Sequence, residues 1–183
     1  MKHLLERKEW LRVNEAFFNQ GSPYEKHKGT IMTIMDRLVK DYSYSPQLAA
    51  ALAGNMFKES GFNPAIESPG GTYVGLIQWG GGRKAKLKSK PNWKTIDTQL
   101  KFIDEELKGA YAKVKEAIDA APTVEKAAEI VGRRYEVCAD PTSEKRIKGA
   151  REIYDMYMPN LTAFTPPTLT DDDFTDQPPI EGQ

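Results

Sequence analysis

Residues 45–64, SPQLAAALAGNMFKESGFNP, decide how the rest of the chain is arranged. Ser45 is a favoured N-cap and Pro46 suits the first helical position. Gly61 is a natural stop, and Pro64 prevents continuation. Between them Leu48, Leu52 and Met56 recur four apart and make an apolar stripe. Glu59 lies eleven positions beyond Leu48, about three turns at roughly 3.6 residues per turn, and so falls on the same stripe. The stretch predicts a short helix that delivers one carboxyl group to the edge of a cleft.

That placement has chemical consequences. A carboxyl at the end of an apolar face is partly desolvated, and the last helical turn carries the negative end of the macrodipole. Both disfavour the anion. A general acid for glycosidic cleavage must keep its proton near neutral pH, so Glu59 is the candidate acid. The competing reading is a solvated glutamate at a fraying helix end.

Residues 65–82, AIESPGGTYVGLIQWGGG, change character. Helical periodicity stops and glycines accumulate. Tyr73-Val74 and Leu76-Ile77 are β-prone pieces after a Ser68-Pro69-Gly70-Gly71 turn, which predicts a small hairpin beside the helix as the second wall of a cleft. Gln78 offers an amide that donates and accepts, suited to sugar hydroxyls or N-acetyl groups. Tyr73 and Trp79 supply flat apolar faces for a pyranose ring, with core packing as the alternative. Glu67 is the other acid of the segment and the candidate second carboxylate, placed to activate a water or stabilise an oxocarbenium-like transition state. The glycines do not form a phosphate loop, since no strand–GxxxxGK[ST]–helix pattern surrounds them.

Glu59-Ser60-Gly61-Phe62-Asn63-Pro64 followed by Gly75-Leu76-Ile77-Gln78-Trp79 resembles the E-S-x-F-N-P … G-L-x-Q signature of the lysozyme-like superfamily. The wider pattern runs AALAGNMFKESGFNP, a Gly-rich segment, GLIQWGGGR and a helical C-terminal half. It resembles the phage tail lysozyme family over about residues 30–158. The resemblance implies a mainly α, α+β lysozyme-like fold with a small β-hairpin beside the catalytic helix. It also implies cleavage of the β-1,4 bond between N-acetylmuramic acid and N-acetylglucosamine in peptidoglycan. Ser60 and Asn63 would shape the turn after Glu59, while Tyr73, Gln78 and Trp79 would hold the sugar. In lysozyme-like enzymes an aromatic from the C-terminal half lines the cleft floor; Tyr135, with Glu136 beside it, is the candidate here. If Glu67 takes no part, a lytic transglycosylase route remains open, with the sugar's own N-acetyl group assisting. A virion structural or wall-binding protein on an inactive lysozyme scaffold is the reading from another class.

Composition sets outer bounds. The chain has 183 residues, enough for one domain with a core. No run approaches the ~20 apolar residues of a membrane span. MKHLLERKEW has no long apolar region, so no secretory signal is expected, and arrival at the wall inside a virus particle or through a holin pore would suit. Lys and Arg total 26, matching 26 Asp and Glu. Five of those acids, Asp171, Asp172, Asp173, Asp176 and Glu181, lie in residues 159–183, which hold no Lys or Arg. The remainder is therefore mildly basic, which suits an anionic wall polymer. With one Cys and two His, His3 and His27, neither a disulfide nor a dedicated zinc site is expected, and no organic cofactor is implied. Cys138 reads as an inert thiol continuing a helical stripe of Val124, Ala127, Ala128, Val131 and Tyr135.

The chain divides into an N-terminal helical extension (1–26), a catalytic domain (27–158) and a Pro/Thr-rich acidic tail (159–183). In the extension, residues 4–19 read as a helix with Trp10, Val13 and Phe17 on one side. Residues 27–42 form an amphipathic helix through Ile31, Ile34, Met35, Leu38, Val39 and Tyr42. Residues 83–94 hold Arg83, Lys84, Lys86, Lys88, Lys90 and Lys94 with no acid; without a reading motif this is a solvated helix face or an electrostatic lip for the wall rather than a nucleic-acid patch. Further helices follow through Ile96, Leu100, Ile103 and Leu107, then Tyr111, Val114 and Ile118. One capped by Thr123 comes next, and a last one carries Ile147, Ala150, Tyr154 and Tyr157 inward. Arg146 and Arg151 read as structural partners of acids. The tail reads as disordered or extended, a docking tether for other phage tail proteins.

Overall fold

The computed structural model describes residues 22–162. The helix expected over 4–19 and the acidic residues of the tail lie outside them. Among the described residues seven α-helices follow one another: α1 (Lys28–Asp36), α2 (Pro46–Ser60), α3 (Gly81–Lys88), α4 (Ile96–Lys108), α5 (Ala112–Asp119), α6 (Val124–Ile130) and α7 (Glu144–Thr162). Two π-helical turns extend them, Arg37–Asp41 after α1 and Val131–Glu136 after α6.

Helix α2 is the axis. It begins as expected: Ser45 Oγ accepts from the Leu48 N–H at 3.1 Å, and Pro46 opens the first turn. It ends where the chain turns left-handed, with Gly61 at φ 59° and Phe62 at φ 63°. Leu48, Leu52 and Met56 are fully buried, and so are Ala49, Ala50, Ala51 and Ala53 on the other faces, with Gly54 also buried. Apolar on all sides, such a helix belongs in the middle of a domain. Its small residues let α6 and α7 close on it. A Cβ added at Gly54 would stand 2.5 Å from the backbone N of Ala150, so α2 and α7 touch backbone to backbone. Hydroxyl caps start two more helices: Thr95 accepts from the Thr98 N–H, and Thr123 from the Lys126 N–H.

The expected stripes are largely buried. Ile31, Ile34, Met35 and Leu38 line the core from the first helix, and Leu100, Ile103 and Leu107 from α4. On α7 the inward residues are Arg146, Gly149, Ala150, Ile153 and Tyr157, while the expected Ile147 and Tyr154 are half-buried. Helix α7 also runs on through Pro159 to Thr162, so the first four residues of the stretch read as a tail are helical, and residues 163–183 lie outside the described ones. Leu161, packed against the core, gives that extra turn a reason to stay helical.

The expected β-hairpin does not form. Among the described residues there is no strand; Val74 makes only isolated bridges, to Glu67 and to Trp79. The chain reverses too soon for a ladder, with Gly75 at φ 76° and Gln78 at φ 55° between the paired residues. The backbone bonds are few, among them the reciprocal pair between Val74 and Trp79 and the Gly75 N–H on the Ile66 carbonyl, and a side chain takes up one of the groups left over. Buried Gln99 of α4 accepts from the Leu76 N–H and donates to the carbonyls of Pro64 and Trp93. Gly75 is needed there, because a Cβ would fall 2.7 Å from Gln99 Oε1.

Candidate active site

Glu59 occupies the penultimate position of α2. Ser60 Oγ, buried, donates back to the Met56 carbonyl, and the exposed Asn63 accepts at Oδ1 from the Ala65 N–H; both shape the helix end, and neither lines the cavity beside Glu59. The abrupt left-handed exit leaves Glu59 at the mouth of a cavity of about 690 Å³, within the roughly 300–1,000 Å³ usual for small-molecule sites. Three segments wall it: Lys58 and Glu59 from α2; Tyr73, Ile77 and Gln78 from the loop before α3; and Glu136 to Asp140 from the loop after α6, with Arg146 of α7.

Two of these residues carry strained backbone. Gln78 (φ 55°) and Val137 (φ 54°) are both left-handed. For a β-branched valine, here 72% exposed, that conformation is an outlier. Such strain, about 1–3 kcal/mol per residue, persists where surrounding structure imposes it and clusters at functional sites. Val137 is left-handed because the preceding turn is π-helical and the chain then folds back: the Cys138 N–H donates to the Gly132 carbonyl. A Cβ at Gly132 would meet Cys138 Sγ and the Pro141 Cα at 3.2 Å. Cys138 is thus a half-buried cavity-wall thiol instead of the continuation of a helical stripe. Burial pushes its thiol up, which keeps it inert.

Arg146 joins the walls. Its side chain is 3% exposed. Nε donates to the Asp140 carbonyl at 3.1 Å, Nη1 to Asn55 Oδ1 and to Glu136 Oε2 at 2.6 Å, and Nη2 to Glu59 Oε1. Asn55, fully buried in α2, spends its amide N–H groups on the carbonyls of Ala51 and Ala128. One guanidinium therefore serves two carboxyl groups. The desolvated one is Glu136, where sequence reasoning expected Glu59. The Glu136 side chain is 2% exposed, whereas Glu59 keeps 21%. Burial pushes Glu136 up to about 8; Arg146 pulls the other way, and the Glu59 charge adds to the rise. Its Oε1 is buried without a hydrogen-bond partner.

The remaining candidates fall elsewhere. Glu67 is held by Lys88 at 3.1 Å and by Lys94 at 3.9 Å and does not line the cavity. Trp79 and Tyr135 are core residues. The Trp79 indole N–H and the Tyr135 hydroxyl both donate to Glu106 Oε2, at 3.0 and 2.6 Å. Arg83 grips both Glu106 oxygens at 2.7 Å and donates from Nη1 to the Tyr135 carbonyl. These aromatics brace the segment that carries Glu136 without touching the cavity. Of the eight sequence candidates, Glu59, Tyr73 and Gln78 share the cavity. Reading the sequence missed Lys58, Ile77, Val137 and Asp140, and took Arg146 as purely structural. Glu136 left a faint trace, an acid enclosed by Val131, Tyr135, Val137 and Cys138.

A family model for phage tail lysozyme matches residues 29–157, from the first helix to near the end of the last. The chain belongs to the phage tail lysozyme family. The match spans every segment that walls the cavity. No curated relative matches the chain. Membership in the tail lysozymes gives it a lysozyme-like, peptidoglycan-acting role in a phage context. Among the described residues, no helix of this tail-lysozyme fold is long and apolar enough to cross a membrane.

Proposed function

We propose that the chain is a muramidase that cleaves the β-1,4 bond between N-acetylmuramic acid and N-acetylglucosamine, with Glu59 as the general acid. The observation that carries this reading is the position of Glu59: partly exposed, at the end of the central helix, and facing a cavity it shares with Tyr73 and Gln78. Tyr73, 50% exposed, offers its ring as a platform for a pyranose. Gln78 donates one amide hydrogen to the Gly75 carbonyl and keeps its oxygen for a sugar donor. Arg146 orients the Glu59 carboxyl. The enzyme acts from the virion, opening the wall as infection begins.

A specific observation favours a second reading. Glu67 is engaged by lysines, and Glu136 is shut off from solvent, so neither is placed to activate a water. Asp140 is the remaining cavity acid, on the exposed rim. With Glu59 as the one solvent-facing glutamate of the cavity, the substrate's own N-acetyl oxygen would displace the protonated leaving sugar at C1, and the C6 hydroxyl would then displace that oxygen and return its proton to Glu59, leaving a 1,6-anhydromuramyl product. Mass spectrometry of muropeptides distinguishes this from a hydrolysed reducing end by the mass of one water. Glu59→Gln should keep the fold and abolish cleavage of purified peptidoglycan. Near wild-type activity in that variant would remove Glu59 as the acid, and binding without cleavage by the unaltered protein would point to an inactive scaffold.

A further inference from the structure

We infer that Glu136 is a positioning residue for Glu59: the two carboxyls compete for the single guanidinium of Arg146, and its engagement with Glu136 frees Glu59 to hold the proton it delivers. The inference rests on the reading of Glu59 as the acid.

Arg146 cannot leave the pair. Its side chain is nearly enclosed, and Asn55 and the Asp140 carbonyl hold it from two further directions. Two carboxyls and one guanidinium are neutral together only when they keep one proton, and an uncompensated charge in a closed site is costly. The geometry marks where that proton rests in the unliganded protein. Glu136 Oε2 accepts from Arg146, and Oε1 has no partner, so Oε1 is the oxygen that carries the hydrogen. Catalysis needs the opposite arrangement. One proton leaves Glu136 Oε1, one arrives on Glu59, and Arg146 now balances the Glu136 anion; no other bond or charge changes. The other titratable groups facing the pair are Lys58 from α2, Tyr73 from the loop before α3, Arg83 from α3, Tyr135 from the π-helical turn, and Cys138 and Asp140 from the loop after it. None of them forms a hydrogen bond or ion pair with either carboxyl among the contacts above.

Two measurements test this. In the first, the glutamate side-chain carboxyls are labelled with ¹³C and titrated by NMR in the wild type and in Glu59→Gln. Removing the competitor should let Arg146 serve Glu136 alone and lower its midpoint by about 1–2 pH units. An unchanged midpoint overturns the coupling, and this readout needs no activity. In the second, kcat and KM of Glu136→Gln are followed against pH on soluble glycan oligomers. Arg146 then has Glu59 as its one carboxylate, so kcat should fall about tenfold near neutrality, the alkaline limb should move to lower pH, and KM should stay within about twofold. A profile scaled down without moving its limbs means a merely structural role and overturns the inference. If the wild type cleaves nothing, the muramidase reading fails while the NMR titration still decides the coupling. If Glu136→Gln does not fold, the Glu59→Gln titration decides it alone.

Discussion

Glu59 and Glu136 meet on one guanidinium although they come from different elements, the end of α2 and the π-helical turn after α6. The pairing makes stability depend on pH. Burial, chiefly, pushes Glu136 in the folded chain from the ordinary carboxyl range up to about 8. Between those values the folded chain keeps a proton that the unfolded chain has lost, so stability falls as pH rises through the window. The loss is on the order of a few kcal/mol. Glu136→Gln has no such proton. Urea unfolding at pH 5 and pH 8.5 should show the wild type losing stability relative to this variant. Parallel pH dependence in the two proteins would refute the assignment of Glu136 as the buried acid.

A second buried acid behaves in the opposite way. Burial alone would raise Glu106, but hydrogen bonds from Arg83, Tyr135 and Trp79 outweigh it and hold the carboxyl below the usual range. Arg83 is the charged partner, so Arg83→Met strands an anion in the core. That should cost about 3–5 kcal/mol, and adding Glu106→Gln should restore part of it. Denaturant curves of the single and double variants read this directly. Additive losses would mean that the ion pair is not the source.

Glycines in two helices give a matched contrast. At Gly54 a Cβ would collide with the Ala150 backbone at 2.5 Å, which cannot move without shifting α7. Gly54→Ala should destabilise by about 1–3 kcal/mol or more. At Gly29, in α1, nothing lies within 4 Å, so Gly29→Ala should be neutral or gain up to about 1 kcal/mol. Thermal melts of the two variants should therefore move apart.

What was legible in the sequence was local. The Ser45 cap, the Leu48–Leu52–Met56 stripe and the Gly61 stop are written within a few residues of one another, and helix formation depends on such spacings. The expected hairpin fails because the left-handed Gly75 and Gln78 reverse the chain after one reciprocal pair, and the Leu76 N–H is met by Gln99, remote in sequence and silent in any β-propensity. For Trp79 the sequence leaves a sugar platform and core packing both open, and for Tyr135 the cleft floor is only what the resemblance implies, because a core aromatic and a sugar platform are the same residue type. Only Glu106, an acid on another helix, reveals which they are. The Glu59–Arg146 contact spans 87 positions, and a π-turn followed by a left-handed valine sets the direction of Glu136. No periodicity reports either.

The role of Tyr73 can be isolated through a neighbour. A Cβ added at Gly80 would sit 2.8 Å from Tyr73 Cε1, and the tyrosine ring, half exposed, is what would yield. Gly80→Ala should therefore displace the ring from the cavity wall while leaving the core intact. Gly80 is also the N-cap of α3, where alanine is disfavoured, so a loss of up to about 1 kcal/mol in stability is expected. If Tyr73 is a sugar platform, Tyr73→Ala should raise KM about fivefold, roughly 1 kcal/mol of binding. Gly80→Ala should raise it similarly, and the double variant should be no worse than either single one, because both remove the same contact. Independent, multiplying effects would show that Gly80→Ala acts by a route other than the ring, whereas an unchanged KM in Tyr73→Ala would show that the ring does not contact the glycan, and the platform would then have to be sought among Ile77 and Val137 on the same cavity.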